Sequence, residues 1–263
     1  MKHEIYSSPK PQSPTNLIRL NKVIAQRAGI ARRKADAYIE AGRIAVNGKT
    51  VRVLGTKIDP INDSLSVDGT VVSQQAQVPI VYRFYKPKGV VSTMNDEQHR
   101  PSIQLFIPAA PTVFPVGRLD RSSEGLLLLT NDGDMALRLS HPRYRQQKTY
   151  RVWIHKVHSR ALGKVQSDLE RGYMVGSRRR SFDSVTYYDS DDDGIAFDVT
   201  LHEGIYHEVK RLVDRAGYTV ARLVRIQHGP LKLGSLEPGQ YEQLSEQDYR
   251  QLRLDVQHPP KVA

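Results

Sequence analysis

Residues 117–133 read GRLDRSSEGLLLLTNDG, and the order of residue types in this stretch sets the architecture expected around it. Leu126 to Leu129 is the longest strongly apolar run in the chain. A short continuous apolar run bounded by turn residues is the pattern of a strand buried on both faces. Gly117 permits a sharp turn after a short strand ending at Val116, and Asn131-Asp132-Gly133 supplies the turn that follows. Arg118 and Asp120 sit two apart in the polar loop between. A carboxylate flanked by Arg118 and Arg121 is expected to stay ionised, its pKa lowered by the cations. At the mouth of a cleft, such a group can attack an electrophilic carbon. In an ordinary loop it would only form a salt bridge to Arg118 of little energetic consequence. These residues alone leave both readings open.

Outward from this stretch, strands are expected at 80–85, 113–116, 125–130, 149–155, 195–201 and 219–226, and helices at 134–139, 159–171 and 206–216. Strands and helices alternate irregularly, and hairpin-type turns at Asn131-Asp132-Gly133 and Asp193-Gly194 favour a mixed, largely antiparallel sheet. Nearer the N-terminus, Leu20, Val23, Ile24 and Ala28 recur at helical spacing before Gly29, and Ala35 and Ile39 before Gly42. Ile44, Val46, Val51 and Val53 alternate around Asn47-Gly48, and Leu65, Val67 and Val71 around Asp68-Gly69, which reads as two hairpins. The expected plan is α+β throughout: a tail at 1–16, a small helix-pair and hairpin domain at 17–72, a polar linker at 73–78 (SQQAQV), a larger domain at 79–254 and a tail at 255–263.

The chain has 263 residues, 39% hydrophobic and 25% charged, which suits a folded protein rather than a disordered one. The net charge of +11 favours a polyanionic partner, nucleic acid first. The absence of cysteine excludes disulfides, thiol nucleophiles and cysteine-ligated metal sites. No run is long enough to span a bilayer and no secretory leader is apparent, so a cytoplasmic or organellar protein without membrane contact is expected, cytoplasmic first, and a monomer is expected. His141, His155, His158, His202, His207 and His228 follow no metal-ligand spacing, so no metal is expected, and no phosphate-loop or dinucleotide glycine pattern appears. Trp153 reads as core.

Arg32, Arg33 and Lys34 stand at the start of a short helix, where the partial positive charge of the helix end opposes them. A phosphate bound by the free helix N–H groups and these side chains would reverse the sign of that cost. Arg43, Lys49 and Arg52 on the neighbouring hairpin extend the patch. A second basic run, Arg178 to Arg180, reads either as a solvated loop or as an RNA contact.

Residues 20–51, LNKVIAQRAGIARRKADAYIEAGRIAVNGKTV, resemble the S-four-type RNA-binding module, through the basic helix pair, Gly42-Arg43 and Val46-Asn47-Gly48. Ala31 stands where a serine cap is usual in that module. GRLD followed by SEGLLLLTNDG resembles the catalytic segment of the ribosomal RNA pseudouridine synthases of the Rsu type. KTYRV at 148–152 and EGIYHEVKRLVDRAG at 203–217 resemble the family's second and third motifs, in order and spacing. The resemblance implies that Asp120 is the nucleophile or base, that Tyr150 lies against the target base and assists proton removal, and that Lys210 pairs with Asp120. It implies RNA contacts at Arg32, Arg33, Lys34, Arg43 and Arg118, a ribosomal RNA or assembly intermediate as partner, and no cofactor. Many family members carry arginine in place of Lys210 and of Ile205. Tyr206-His207 in the third motif leans toward the small-subunit enzymes. The alternatives are a non-catalytic ribosome-assembly protein of the same fold and a hydrolase that cleaves the glycosidic bond, for which a carboxylate pair such as Asp120 and Glu124 is required.

Overall fold

The computed structural model describes residues 17–75, 77–107, 112–155, 162–191 and 194–257, except for the side chains of residues 190 and 191. The tail at 1–16, His158, the start of the helix expected from Ser159, Asp193 and residues 258–263 lie outside the described residues. The chain divides into two compact units at the 78/79 boundary.

In the first unit, β1 (Ile18–Arg19) leads into α1 (Leu20–Ala28) and α2 (Arg32–Glu40), followed by β2 (Ile44–Val46), β3 (Lys49–Val51), β4 (Lys57–Ile58), β5 (Leu65–Val67) and β6 (Thr70–Val71). β1 pairs with β4, and the other strands form an antiparallel sheet in the order β3-β2-β5-β6. Asn47-Gly48 and Asp68-Gly69 all take positive φ, as the tight hairpin turn requires. Leu20, Val23, Ile24, Ala35, Ile39, Ile44, Ile58 and Leu65 form its core. Part of the segment expected as a free linker belongs to this unit, because the Gln77 amide bonds the Gln26 carbonyl at 3.1 Å.

The second unit is built on β7 (Val81–Lys86), β8 (Phe114–Pro115), β9 (Glu124–Thr130), α3 (Gly133–Ser140), β10 (Lys148–Ile154), α4 (Leu162–Glu170), β11 (Tyr173–Val175), β12 (Arg178–Arg180), β13 (Ser184–Asp191), β14 (Gly194–Leu201), α5 (Glu208–Arg215), β15 (Val220–His228), β16 (Leu231–Lys232), β17 (Tyr241–Gln243) and α6 (Glu246–Asp255). The main sheet runs β13-β14-β10-β15-β9-β7-β17. Its neighbours along this path are antiparallel except β15 and β9, which run parallel where Val224 faces Glu124 and Arg225 faces Gly125. The sheet is therefore mixed and largely antiparallel, as the turn pattern predicts.

β9 is buried at every residue, which explains its unbroken apolar run. Leu126 and Leu128 pack with Met135 and Leu139 of α3 and Leu252 of α6. Leu127 and Leu129 face the opposite way, toward Phe84, Ile103 and Leu119. A further cluster joins Val152, Phe197 and Leu223 to Leu169 of α4 and Leu212 of α5. Tyr150 packs against this cluster and against that of Leu127, so it stands at the seam between them.

Several elements depart from the sequence expectation. The Arg178–Arg180 run is a strand of the β11–β12 hairpin, not a loop, and Arg180 is paired internally with Glu203 and Glu208. β13 carries too many polar residues to show a strand pattern, and pairing with β14 decides its conformation. The second unit continues past 254, because α6 runs to Asp255 and Val256 is fully buried. Ser245 caps α6 by accepting from the Asp248 amide, a signal its sparse apolar pattern obscured.

Gly125 has φ +100, and an added Cβ would stand 2.4 Å from the Arg225 carbonyl oxygen. Gly133 opens α3 with open space around it. Gly125→Ala is expected to lower the unfolding free energy by more than ~1 kcal/mol, whereas Gly133→Ala raises it by about 0.4–1 kcal/mol, as read from denaturant titrations.

Lys86 in β7 is completely buried and donates to the Pro87 and Val90 carbonyls, both at 2.8 Å. Burial lowers its pKa from 10.5 to about 8, and burial likewise brings Lys148 to about 8. Between these values and 10.5 the unfolded chain holds more protons than the folded one, so stability rises with pH across that window. Tyr218 opposes this at higher pH, because burial and Asp168 raise its phenol to about 12 while unfolded tyrosine ionises near 10.0. Urea midpoints are therefore expected to climb from pH 8 toward 10 and then turn down, and Lys86→Met is expected to flatten the climb.

Candidate active site

Asp120 lies on the turn between β8 and β9, where its carbonyl accepts the Ser123 amide at 3.0 Å. The loop is held from behind by Ser92, whose buried hydroxyl donates to the Leu119 carbonyl at 2.7 Å and accepts the Leu119 amide at 3.0 Å. Arg121 turns away from Asp120 and donates to the Gly89 carbonyl at 3.0 Å. Arg118 is exposed and makes no ion pair among the described residues. Neither arginine holds the carboxylate as the sequence suggests. His207 does so, with Nε2 3.2 Å from Asp120 Oδ2, an ion pair when the imidazole is protonated.

His207 occupies the left-handed region (φ 57) at the N-cap of α5, so that helix begins two residues later than expected. Its ring stacks on Tyr206 at 3.8 Å between centroids and 17° between planes. Glu208 in the first turn accepts from the Ile205 amide at 3.1 Å and from Arg180 at 3.0 Å, which fixes the start of the helix. One turn on, Lys210 donates to Ser122 Oγ at 2.5 Å, the loop residue two beyond Asp120. Its ammonium is destabilised by burial and favoured by the nearby charge of Asp120. Lys210 therefore acts on Asp120 through space and through the loop, not through the direct pairing expected.

A cleft of about 430 Å³ brings Asp120, Tyr150, His207 and Lys210 together, with Lys148, Arg225 and His228 deeper in its lining. A second, shallower cleft of about 890 Å³ lies beside it, lined by Lys88, Arg100 and Arg121 among others. Arg118, Asp120, Tyr206 and His207 line both, so the carboxylate stands on the ridge between them. Cations outnumber carboxylates in the deep cleft, which suits a polyanionic ligand.

Glu124, four residues from Asp120, is committed elsewhere. Arg222 Nε contacts its Oε1 at 2.8 Å, and the Tyr85 hydroxyl donates to its Oε2 at 3.1 Å. Arg222 in turn lies 4.9 Å from the ring of Trp153, which is buried as expected. No cluster of His, Asp and Glu suited to a metal ion occurs among the described residues.

In the first unit, Arg32, Arg33 and Lys34 are exposed at the start of α2. The helix has no side-chain cap at Ala31 and no acid in its first turn. Arg43 behaves differently: it forms a two-pronged pair with Asp68 at 2.7 and 2.5 Å and lies 3.8 Å over the Tyr38 ring. Its charge is offset within the domain, so it contributes less to the patch than expected. Arg52 donates to the Glu40 carbonyl at 3.1 Å. Nothing local in the sequence marks His207, Ser92 or Arg225 as residues of these clefts.

Residues 80–215 match the family model described as RNA pseudouridylate synthase, and residues 18–63 match the S4 domain. An RNA pseudouridine synthase of Aquifex aeolicus (strain VF5), itself uncharacterized, is 37% identical over 240 residues, covering 89% of this chain and 93% of its own. The ribosomal large subunit pseudouridine synthase B of Bacillus subtilis (strain 168) is 34% identical over 243 residues, covering 91% of this chain and 97% of its own. A crystal structure of a pseudouridylate synthase superposes with a TM-score of 0.59 at 26% identity, covering 89% of this chain and 99% of that one. The chain belongs to the RNA pseudouridylate synthase family, isomerases of RNA uridine, and carries an S4 RNA-binding domain ahead of its catalytic domain.

Proposed function

We propose that this enzyme isomerises one specific uridine of ribosomal RNA to pseudouridine, with Asp120 as the reacting carboxylate and no cofactor. The observation that carries this reading is that Asp120, Tyr150 and Lys210 line one cation-rich cleft. The target uridine leaves its stack at a cost of roughly a few kcal/mol. Stacking on Tyr150 offsets about 1–3 kcal/mol of that cost. Asp120 then takes a proton from the ribose while the bond from sugar to N1 breaks, which leaves a glycal-like sugar and a detached uracil anion. Direct attack of the carboxylate on the sugar is the alternative route. The ring turns and rejoins through C5 as Asp120 returns its proton to the ribose, and the C5 proton is then lost, assisted by Tyr150. Lys210 sets a cation near Asp120 and holds its loop through Ser122.

Arg32, Arg33 and Lys34, with the free N–H groups of α2, hold the phosphates of a structured RNA, and Arg118 on the ridge contacts RNA near the target. The Tyr206-His207 pattern favours a small-subunit substrate, whereas the Bacillus relative is named for the large subunit. Pseudouridine mapping of both ribosomal RNAs, from cells with and without the gene, identifies the position.

Asp120→Asn is expected to lower pseudouridine formation by at least about a hundredfold while RNA affinity is retained. Unchanged modification by the purified variant would remove Asp120 as the reacting group, and unchanged modification in cells lacking the protein would leave the assembly-factor reading. Release of free uracil by the wild-type enzyme would favour a hydrolase. Arg33→Ala combined with Lys34→Ala is expected to weaken RNA binding and lower the slope of log affinity against log salt by about 1 per lost phosphate contact, without sequence preference.

A further inference from the structure

The floor of the deep cleft carries polar atoms that the protein leaves unmatched. β10 and β15 pair so that Lys148 faces His228 and Tyr150 faces Arg225. The register slips between these two pairs, with Ile226 as the extra residue, and the slip brings Arg225 and His228 to line the same cleft. Arg225 is 2% exposed and His228 1%. Arg225 donates Nε to the Leu126 carbonyl at 2.7 Å, which leaves Nη2 buried without a partner.

His228 Nε2 lies 2.9 Å from the Leu139 carbonyl oxygen, a contact that places the ring hydrogen on Nε2. Burial, Arg225 and Lys148 hold the imidazole neutral, so Nδ1 is a lone-pair acceptor, and it too has no partner. Lys148 makes no ion pair among the described residues. Glu208, the acid whose charge it feels, has its oxygens engaged by Arg180 and the Ile205 amide. Arg225 Nη2 and His228 Nδ1, buried in this condition, cost stability unless a ligand completes them, and the half-buried Lys148 stands beside them.

The three side chains offer two cationic donors and one neutral acceptor. A uracil ring offers the complement along one edge: O2 and O4 accept on either side of the N3–H donor. Cytosine matches only one of the three, because its N3 accepts and its N4 donates. Tyr150 shares a face of β10 with Lys148, and its ring centroid is 6.0 Å from the Arg225 guanidinium carbon. A base stacked on Tyr150 in this cleft therefore lies close to this array. We infer that Lys148, His228 and Arg225 form the receptor for the base of the target nucleotide, selecting uracil by hydrogen bonding. The two cations also offset the negative charge the ring carries once it is detached. This inference rests on the proposed function.

The test is equilibrium binding of free uracil, 3-methyluracil and cytosine to the full chain, followed by ligand-observed NMR. Uracil is expected to bind at least tenfold more tightly than 3-methyluracil, whose N3 cannot donate, or cytosine. Lys148→Met is expected to lose at least tenfold of the uracil affinity without a lowered unfolding midpoint, and Lys148→Arg to recover part of it. Equal binding of the three bases, binding of none, or an unaltered Lys148→Met variant overturns the receptor. Wild-type enzyme incubated with ribosomal RNA separates the two readings. Pseudouridine without base discrimination sinks the receptor alone, and discrimination without pseudouridine sinks the catalytic reading alone.

Discussion

The catalytic unit depends on one close approach, the parallel contact of β9 with β15. It joins an antiparallel group of strands around β10 and β14 to another around β7 and β17. Two features permit it. Gly125 removes the Cβ that would strike the β15 backbone, and Arg225 reaches across to the Leu126 carbonyl. Nearly everything in the site hangs from this junction. Asp120 precedes β9 by a single turn, α5 with His207 and Lys210 leads into β15, and Tyr150 and Lys148 stand on the next strand of the sheet. A shift of the junction would move the carboxylate relative to both the aromatic ring and the cations.

What the sequence made legible follows the reach of the forces involved. The all-buried strand β9, the Asn47-Gly48 hairpin and the paired helices α1 and α2 depend on local pattern, and the chain shows them directly. Asp120, Tyr150 and Lys210 were found by resemblance, since an Arg-x-Asp loop or a strand tyrosine has no local signature of chemistry. The direct partner of Asp120 was missed because His207 comes from a residue 87 positions away. Its ring orientation depends on a left-handed N-cap that no spacing rule predicts. β13 and the β11–β12 hairpin were missed for a related reason: their residues are polar, and the pairing partner decides the conformation.

Charge is arranged differently in the two units. At the start of α2, exposed cations gather with no acid in the first turn, so the local positive field is not offset there. In the catalytic unit, each of several arginines has a carboxylate of its own: Arg151 with Asp198, Arg180 with Glu203 and Glu208, Arg222 with Glu124. Such pairs consume the acids around the cleft. The cations left over, Lys148, Arg225 and Lys210, face into it.

That consumption also decides between the chemistries open to a carboxylate in a basic cleft. Hydrolysis of a glycosidic bond by the usual route needs a second carboxyl group, free to give or take a proton beside the first. Glu124 is the near candidate, and Arg222 and Tyr85 occupy both of its oxygens. Glu208 also lines the cleft, and Arg180 and the Ile205 amide occupy its oxygens in the same way. Among the described residues, Asp120 is the one carboxylate that lines both clefts, with a histidine rather than a second acid in contact. A single carboxylate suits a reaction in which the base leaves the sugar and returns through another atom, because no water has to be activated. On the proposed mechanism, the same cations that draw in the RNA also help to retain the detached ring until it rejoins.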